Sequence, residues 1–127
     1  MIEIKKMFTD DLSDYLLIAD TIKSVTVNDK IAIAVAPENT DTVIIAKAAD
    51  ELLNISGICV SFVIGKIDND IYLSGRSLGD INVQIIMESL GGGGHMNIAG
   101  AKIENASVES VIKQLNESIE QYLRIGE

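Results

Sequence analysis

Four consecutive glycines, Gly91 to Gly94, run directly into His95, the single histidine of the chain. The small residues Ala99-Gly100-Ala101 follow closely. Glycine admits backbone angles that side chains forbid and lets a ligand come up against the main chain. A loop of this composition can turn successive N–H groups toward one point and hold an anion there. A histidine at its exit adds a directional donor, or a positive charge once protonated. The chemistry that suits these residues is the cradling of a phosphate. A plainer reading covers part of the run, because a single glycine after a helix commonly sits in a left-handed turn, and Gly91 is placed for that. A helix stop uses one glycine, and each additional one raises the cost of ordering the loop. The run is neither a Gly-x-x-x-x-Gly-Lys-Ser/Thr loop nor a Gly-x-Gly-x-x-Gly turn between strand and helix, since here the glycines come after a helix.

Arg76 is the second residue whose type suggests chemistry. It lies between Gly75 and Ser77 at the end of an apolar stretch, with Ser74 just before. Its planar fork of donors suits a phosphate, Gly75 permits close backbone approach, and Ser74 and Ser77 add hydroxyls. The alternative is a surface arginine on a strand end, and the sequence alone leaves the two readings open. Asn82 and Gln84 suit helix capping or solvent better than the reading of a base edge. No catalytic constellation accompanies these residues. One histidine cannot furnish a hydrolytic metal centre. Asp68 and Asp70 resemble turn formers, and Asp10 and Asp11 helix-start charges. Cys59 sits in an apolar run with no positive neighbour, as a core residue would. The chain reads as one that binds but does not hydrolyse by itself.

The frame that must position these residues is a single domain over residues 1–127. At 127 residues and 47% hydrophobic composition it has the length for a core, and one proline with a mean hydropathy of +0.27 argues against disorder. The net charge of −9 argues against wrapping a long nucleic acid, whose bulk affinity rests on many lysine and arginine contacts. A small anion held by a few local donors remains allowed. A lone cysteine forms no internal disulfide and fits a reducing compartment. With no long apolar window and no signal-peptide core at the start, the expectation is a soluble, cytoplasmic domain.

Leu12, Tyr15, Leu16, Ala19 and Ile22 recur at helical spacing, which predicts a helix from about Asp10 to Ser24, with Thr9, Asp10 and Asp11 at its start. Lys30 to Ala36 is an apolar run suited to a strand covered on both faces. After Pro37-Glu38-Asn39, Thr40 would cap a helix carrying Val43, Ile44, Ala48, Leu52 and Leu53. Ile58 to Ile64 is the next strand, completing a βαβ unit. Asp68-Asn69-Asp70 is turn chemistry that sends Ile71 to Arg76 back antiparallel. Gly79-Asp80 would open a third helix, capped by Asp80 and bearing Val83, Ile86, Met87 and Leu90. Ile98 to Ile103 forms a strand leaving the glycine loop, and a Ser107-capped amphipathic helix through Leu123 ends the chain. The expected fold is α/β, with a mixed parallel and antiparallel sheet of four or five strands and four helices.

Ser74-Gly75-Arg76-Ser77, Ile81-Asn82-Val83-Gln84-Ile85-Ile86-Met87-Glu88 and Leu90 to Ala101 closely resemble the DHH-associated domain of DHH-family phosphoesterases. The Gly-Gly-Gly-His signature characterises that domain. The Arg-Ser, Ile-Asn-Val-Gln and Met-Glu contexts, with Ala32 to Asn39, are most similar to GdpP-type cyclic di-AMP phosphodiesterases, so the resemblance spans nearly the whole chain. It implies that Gly91, Gly92, Gly93, Gly94 and His95 hold a substrate phosphate, with Arg76 and Ser77 beside them. It also implies a preceding DHH domain that holds two divalent metals, usually manganese, for hydrolysis. No His-His pair exists here, so the chain looks like the C-terminal substrate-binding portion of a larger enzyme and is expected to be inactive alone. The parent would carry membrane and sensory segments upstream, with this domain on the cytoplasmic side. Many relatives have alanine where Ile98 stands, a departure that bears on nucleotide preference.

Three functions follow. In the first, the chain grips cyclic di-AMP or a short dinucleotide for a metal-dependent phosphodiesterase, with His95, Arg76 and the loop amides neutralising phosphate charge while metal-activated water attacks. In the second, it is a non-catalytic RNA-binding module, like the glycine-rich relatives in alanyl-tRNA synthetases, against which the −9 charge speaks. In the third, it is a homodimerisation domain using the last helix, although Tyr122 and Leu123 serve equally as core.

Overall fold

The structure, a computed structural model, describes the backbone of residues 2–125 and side chains from residue 12 onward. Its elements are α1 (Ile2–Lys23), β1 (Thr26–Asn28), β2 (Ile31–Val35), α2 (Thr42–Leu53), β3 (Val60–Ile67), β4 (Asp70–Ser77), α3 (Val83–Ser89), β5 (Gly93–Gly94), β6 (Ile98–Ile103) and α4 (Val108–Ile125). They build one mixed sheet in the order β1-β2-β3-β4-β6-β5. Only β2 and β3 run parallel, joined by α2, and every other neighbour pair is antiparallel. The mixed α/β class and the four helices are those the sequence indicates, but the strands number six. The additional two are β1 and β5. β1 turns into β2 through Asp29 and Lys30, both with positive φ (49° and 70°). Such a turn matches the twist of the strands it joins, yet without glycine it leaves no mark in the sequence.

Each face of the sheet is covered by different side chains, and the alternation in β2 shows why its sequence is continuously apolar. Ala32, Ala34 and Ala36 point toward α2, where they pack with Ile45, Ala48, Ala49, Leu52 and Val63. Methyl groups at these positions let the helix lie close, and Ser61 Oγ donates to the Ala49 carbonyl at 2.7 Å across that contact. On the other face Phe62, Ile64, Ile71 and Leu73 pack against Val83, Ile86 and Met87 of α3 and Val111, Leu115 and Ile119 of α4. Gly75 leaves room there: a Cβ would stand 3.0 Å from Phe62 and Met87, close enough that those side chains would have to shift. Cys59 is half-buried at the edge of this second core. Tyr122 joins the core, and its hydroxyl accepts from Asn82 N–H at 2.9 Å, whereas Leu123 is exposed.

Several local expectations need correction. α1 begins at Ile2, so Thr9, Asp10 and Asp11 lie inside the helix; no glycine or proline interrupts residues 2–9. Ile18 and Ile22 of α1 reach the α2 core, but Leu12, Tyr15 and Leu16 stay exposed. Asp41, not Thr40, caps α2, accepting from Val43 N–H at 2.7 Å, while Thr40 is buried and donates to the Pro37 carbonyl. Val43 faces solvent. The third helix starts at Val83 and its cap is Asn82, which accepts from Ile85 N–H at 3.3 Å, in place of Asp80. Ser107 does cap α4, accepting from Ser110 N–H at 3.2 Å.

Candidate functional site

Register decides which residues share a face. Across β4 and β6, Arg76 pairs with Ile98, Ser74 with Gly100 and Tyr72 with Lys102. Gly100 pairs in turn with Gly93 of β5. His95 N–H donates to the Ile98 carbonyl at 2.7 Å, continuing the same pairing one step past β5. Alternate residues of a strand occupy one face. The α2 side of the sheet therefore carries three neighbouring rows: Arg76, Ile98 and His95; then Ser74, Gly100 and Gly93; then Tyr72 and Lys102. Among the described residues no helix packs over β6 and β5 on this side, and Ile98 is exposed. The floor is small, its two ends are cationic or imidazole-bearing, and it is open.

The glycines divide by task. Gly91 N–H donates to the Glu88 carbonyl at 3.1 Å and Gly92 N–H to the Met87 carbonyl at 2.8 Å, with Gly91 at φ 88°. This paired closure is the Schellman end of α3, so the plainer reading holds for Gly91, and Gly92 takes part in the same helix stop. Gly92 is also pressed against β6: a Cβ there would fall on the Gly100 carbonyl oxygen and 2.6 Å from Ala101 Cβ. Gly94, at φ 144°, would bring a Cβ 2.6 Å from the Ile98 oxygen. Gly93 is different. It has no left-handed φ, and nothing lies within 4 Å of where its Cβ would be. Neither chain conformation nor packing requires a glycine at that position. In an antiparallel ladder alternate residues face the partner; with His95 facing Ile98, Gly93 faces Gly100 and Gly94 turns its N–H outward from the edge of the sheet.

Arg76 is largely buried, its side chain 12% exposed, beside a far more open Asp50. Its Nε–H donates to Asp50 Oδ1 at 2.8 Å and its Nη1 to the Gly75 carbonyl at 2.9 Å. Ser77 lies on the opposite face, buried, donating to the Ile81 carbonyl at 2.7 Å and accepting from Asn97 Nδ2 at 2.9 Å. Its hydroxyl is thus engaged within the chain and supports the loop from behind. Asn97 also donates to the Gly79 carbonyl at 3.3 Å, its own carbonyl accepts from Ser77 N–H, and the Met96 carbonyl accepts from Val83 N–H. These bonds clamp the tip of the β5–β6 hairpin to the connection between β4 and α3, and so aim His95. His95 itself is exposed. Gln84 makes only a surface contact with Glu88, at 3.3 Å. Asp50 and Asn97 carry no sequence signal for these roles, because their partners lie 26 and 20 residues away.

Lys102 Nζ stands 5.6 Å from the Tyr72 ring centroid and 3.7 Å from Asp70. Tyr72 first, and Asp70 after it, hold the Lys102 ammonium above the ordinary lysine value. No three His, Cys, Asp or Glu side chains among the described residues come together as metal ligands. A concavity of about 400 Å³ lies on the other face, between α4 and β1–β2, lined by Ile31, Ile33, Val35, Ile112, Ile119 and Leu123. Ser24, Thr26, Asn28, Asp29, Asn116 and Glu120 complete its lining, which holds no cationic side chain, and it is remote from the glycine loop.

Residues 28–124 match the DHHA1 domain, and the chain belongs to that family. It is similar to the cyclic-di-AMP phosphodiesterase GdpP of Geobacillus thermodenitrificans, 42% identical over 127 residues, and to that of Bacillus subtilis, 39% identical over 129. Both alignments take in 97% of this chain, and the chain spans about a fifth of each relative, 19% and 20%. Among solved structures, an exopolyphosphatase-related protein from Bacteroides fragilis shares the fold with a TM-score of 0.77 at 20% identity, covering 89% of this chain and 36% of that one. No described helix is long and apolar enough to cross a membrane.

Proposed function

We propose that this chain is the substrate-gripping domain of a metal-dependent phosphodiesterase that acts on cyclic di-AMP or a short dinucleotide. A substrate phosphate sits on the open face of β4, β6 and β5. The observation that carries this reading is the strand register that sets Arg76 and His95 on either side of Ile98, with Gly93 in the next row and free of any structural need to be glycine. Arg76 supplies a charged fork, His95 a donor, and the outward Gly94 N–H an amide at the edge. Gly91 and Gly92 serve by ending α3, and Ser77 by bracing the hairpin through Asn97. Two relatives bearing the cyclic-di-AMP phosphodiesterase name support the substrate class.

Bond cleavage belongs elsewhere in the parent protein. Two divalent ions, manganese by the resemblance, fit a separate DHH domain, and no step through them is derived from this chain. An uncovered face needs an opposite wall, which such a domain would supply. The parent is proposed to be membrane-anchored with this domain on the cytoplasmic side. The test is calorimetric titration of cyclic di-AMP into the chain, its His95→Ala variant and its Arg76→Ala variant, with unfolding curves alongside. Weaker binding by His95→Ala at unchanged stability is expected. Altered stability with unaltered binding would remove His95 from the site.

A further inference from the structure

Arg76 is gripped before any ligand arrives. A free arginine side chain has many rotamers, and ordering it on binding costs affinity. Here the guanidinium is tied at two of its five donors: Nε–H to Asp50 on α2, and Nη1 to the carbonyl of the neighbouring Gly75. The rest of the fork is unclaimed by any described residue. Asp50 is solvent-exposed and meets Arg76 through one oxygen at 2.8 Å. It takes Nε–H, Gly75 takes one N–H of Nη1, and Nη2 is left for a phosphate oxygen. α2 is itself fixed over β3 by the buried Ser61–Ala49 hydrogen bond, one residue before Asp50, so the carboxylate has a rigid mount.

We infer that Asp50 is a positioning residue for the phosphate site: it locks Arg76 in the row of Ile98 and His95 with Nη2 unclaimed. The inference rests on the functional reading above. It sets two effects of Asp50 against each other. Its hydrogen bond organises Arg76, and its charge repels the anion. Asp50→Asn keeps an oxygen acceptor and removes the charge; Asp50→Ala removes both.

The experiment titrates cyclic di-AMP and its linear dinucleotide product into the chain and four variants: Asp50→Asn, Asp50→Ala, Arg76→Ala and His95→Ala. Hydrogen exchange at Arg76 Nε is followed by nitrogen-15 NMR. Asp50→Ala should bind about three- to tenfold more weakly, the cost of one freed rotamer-rich side chain. Asp50→Asn should bind as well as the parent or about two- to fivefold more tightly, as expected for an exposed charge removed. Exchange at Nε should quicken in Asp50→Ala. Tighter binding in both Asp50 variants would make Asp50 a competitor of the phosphate and overturn the inference, as would unchanged binding or slow Nε exchange in Asp50→Ala. Weakened binding in His95→Ala but not in Arg76→Ala overturns the inference and leaves the functional reading standing. No binding by the unaltered chain overturns both.

Discussion

Replacing Gly93 with alanine separates folding from function in one methyl group. The four glycines look alike in sequence, yet the structure gives them different burdens. At Gly92 a Cβ would fall on the Gly100 carbonyl oxygen, and β6 backbone must move to admit it; overpacking of that kind costs about 2 kcal/mol. At Gly91, with φ 88°, alanine suffers the left-handed penalty of about 1 kcal/mol. At Gly93 the methyl meets nothing, and loss of glycine's unfolded-state freedom should stabilise the fold by about 0.5 kcal/mol. That methyl would stand on the open face opposite Gly100, on the floor between Arg76 and Lys102. If phosphate rests against the main chain there, the methyl holds it away from the Gly94 N–H beside it, and losing that one charge-assisted hydrogen bond weakens binding by about tenfold or more. Urea unfolding gives the stability arm and calorimetry with cyclic di-AMP the affinity arm. The reasoning is refuted if Gly93→Ala binds as tightly as the parent chain, or if it unfolds as easily as Gly92→Ala.

Other perturbations test the scaffold. Asn97→Ala should cost about 1 kcal/mol through its bonds to Ser77 and Gly79 and quicken exchange at Ser77 N–H; unchanged exchange would mean that the hairpin tip is held by backbone alone. Asp41→Ala should lose about 1 kcal/mol as an N-cap, while Thr40→Ser, which keeps its bond to Pro37, should lose less; urea midpoints compare them. Phe62→Ala should cost about 3–5 kcal/mol, since the ring is fully buried beside Gly75 and Met87. Tyr72→Phe should lower the Lys102 titration midpoint followed by NMR, because Tyr72 is the main group raising it. A pKa raised on folding favours the native state while the lysine is charged. That contribution is present through neutral pH and fades as pH rises through the folded-state value.

The elements were legible where periodicity was strong. β6 lies at the predicted Ile98–Ile103, and Ser107 caps α4 as expected. The Asp68-Asn69 turn sends β4 back along β3, since turn chemistry acts locally. Caps were less legible, because Thr40 and Asp41 are both good candidates and only the buried Thr40–Pro37 bond decides between them. β1 was hidden, since Asp29 and Lys30 take a turn that usually advertises itself with glycine. The residues of the proposed site stand out in the sequence by type, but their arrangement does not. Arg76 and His95 flank Ile98, and Gly93 flanks Gly100, only through the β4–β6–β5 register, which no local spacing encodes. Asp50 and Asn97 act on partners far along the chain. Gly91 and Gly92 show that a motif can be half structural.

The central claim is that the phosphate grip lies on one face of β4, β6 and β5 and is built into this chain. An NMR titration with cyclic di-AMP and its linear product, repeated on His95→Ala, tests it most directly. The account predicts amide shifts confined to Arg76 and the stretch from Gly91 to Ala101, lost in the variant. Shifts centred on the α4 and β1–β2 concavity, or shifts that survive in His95→Ala, would contradict it.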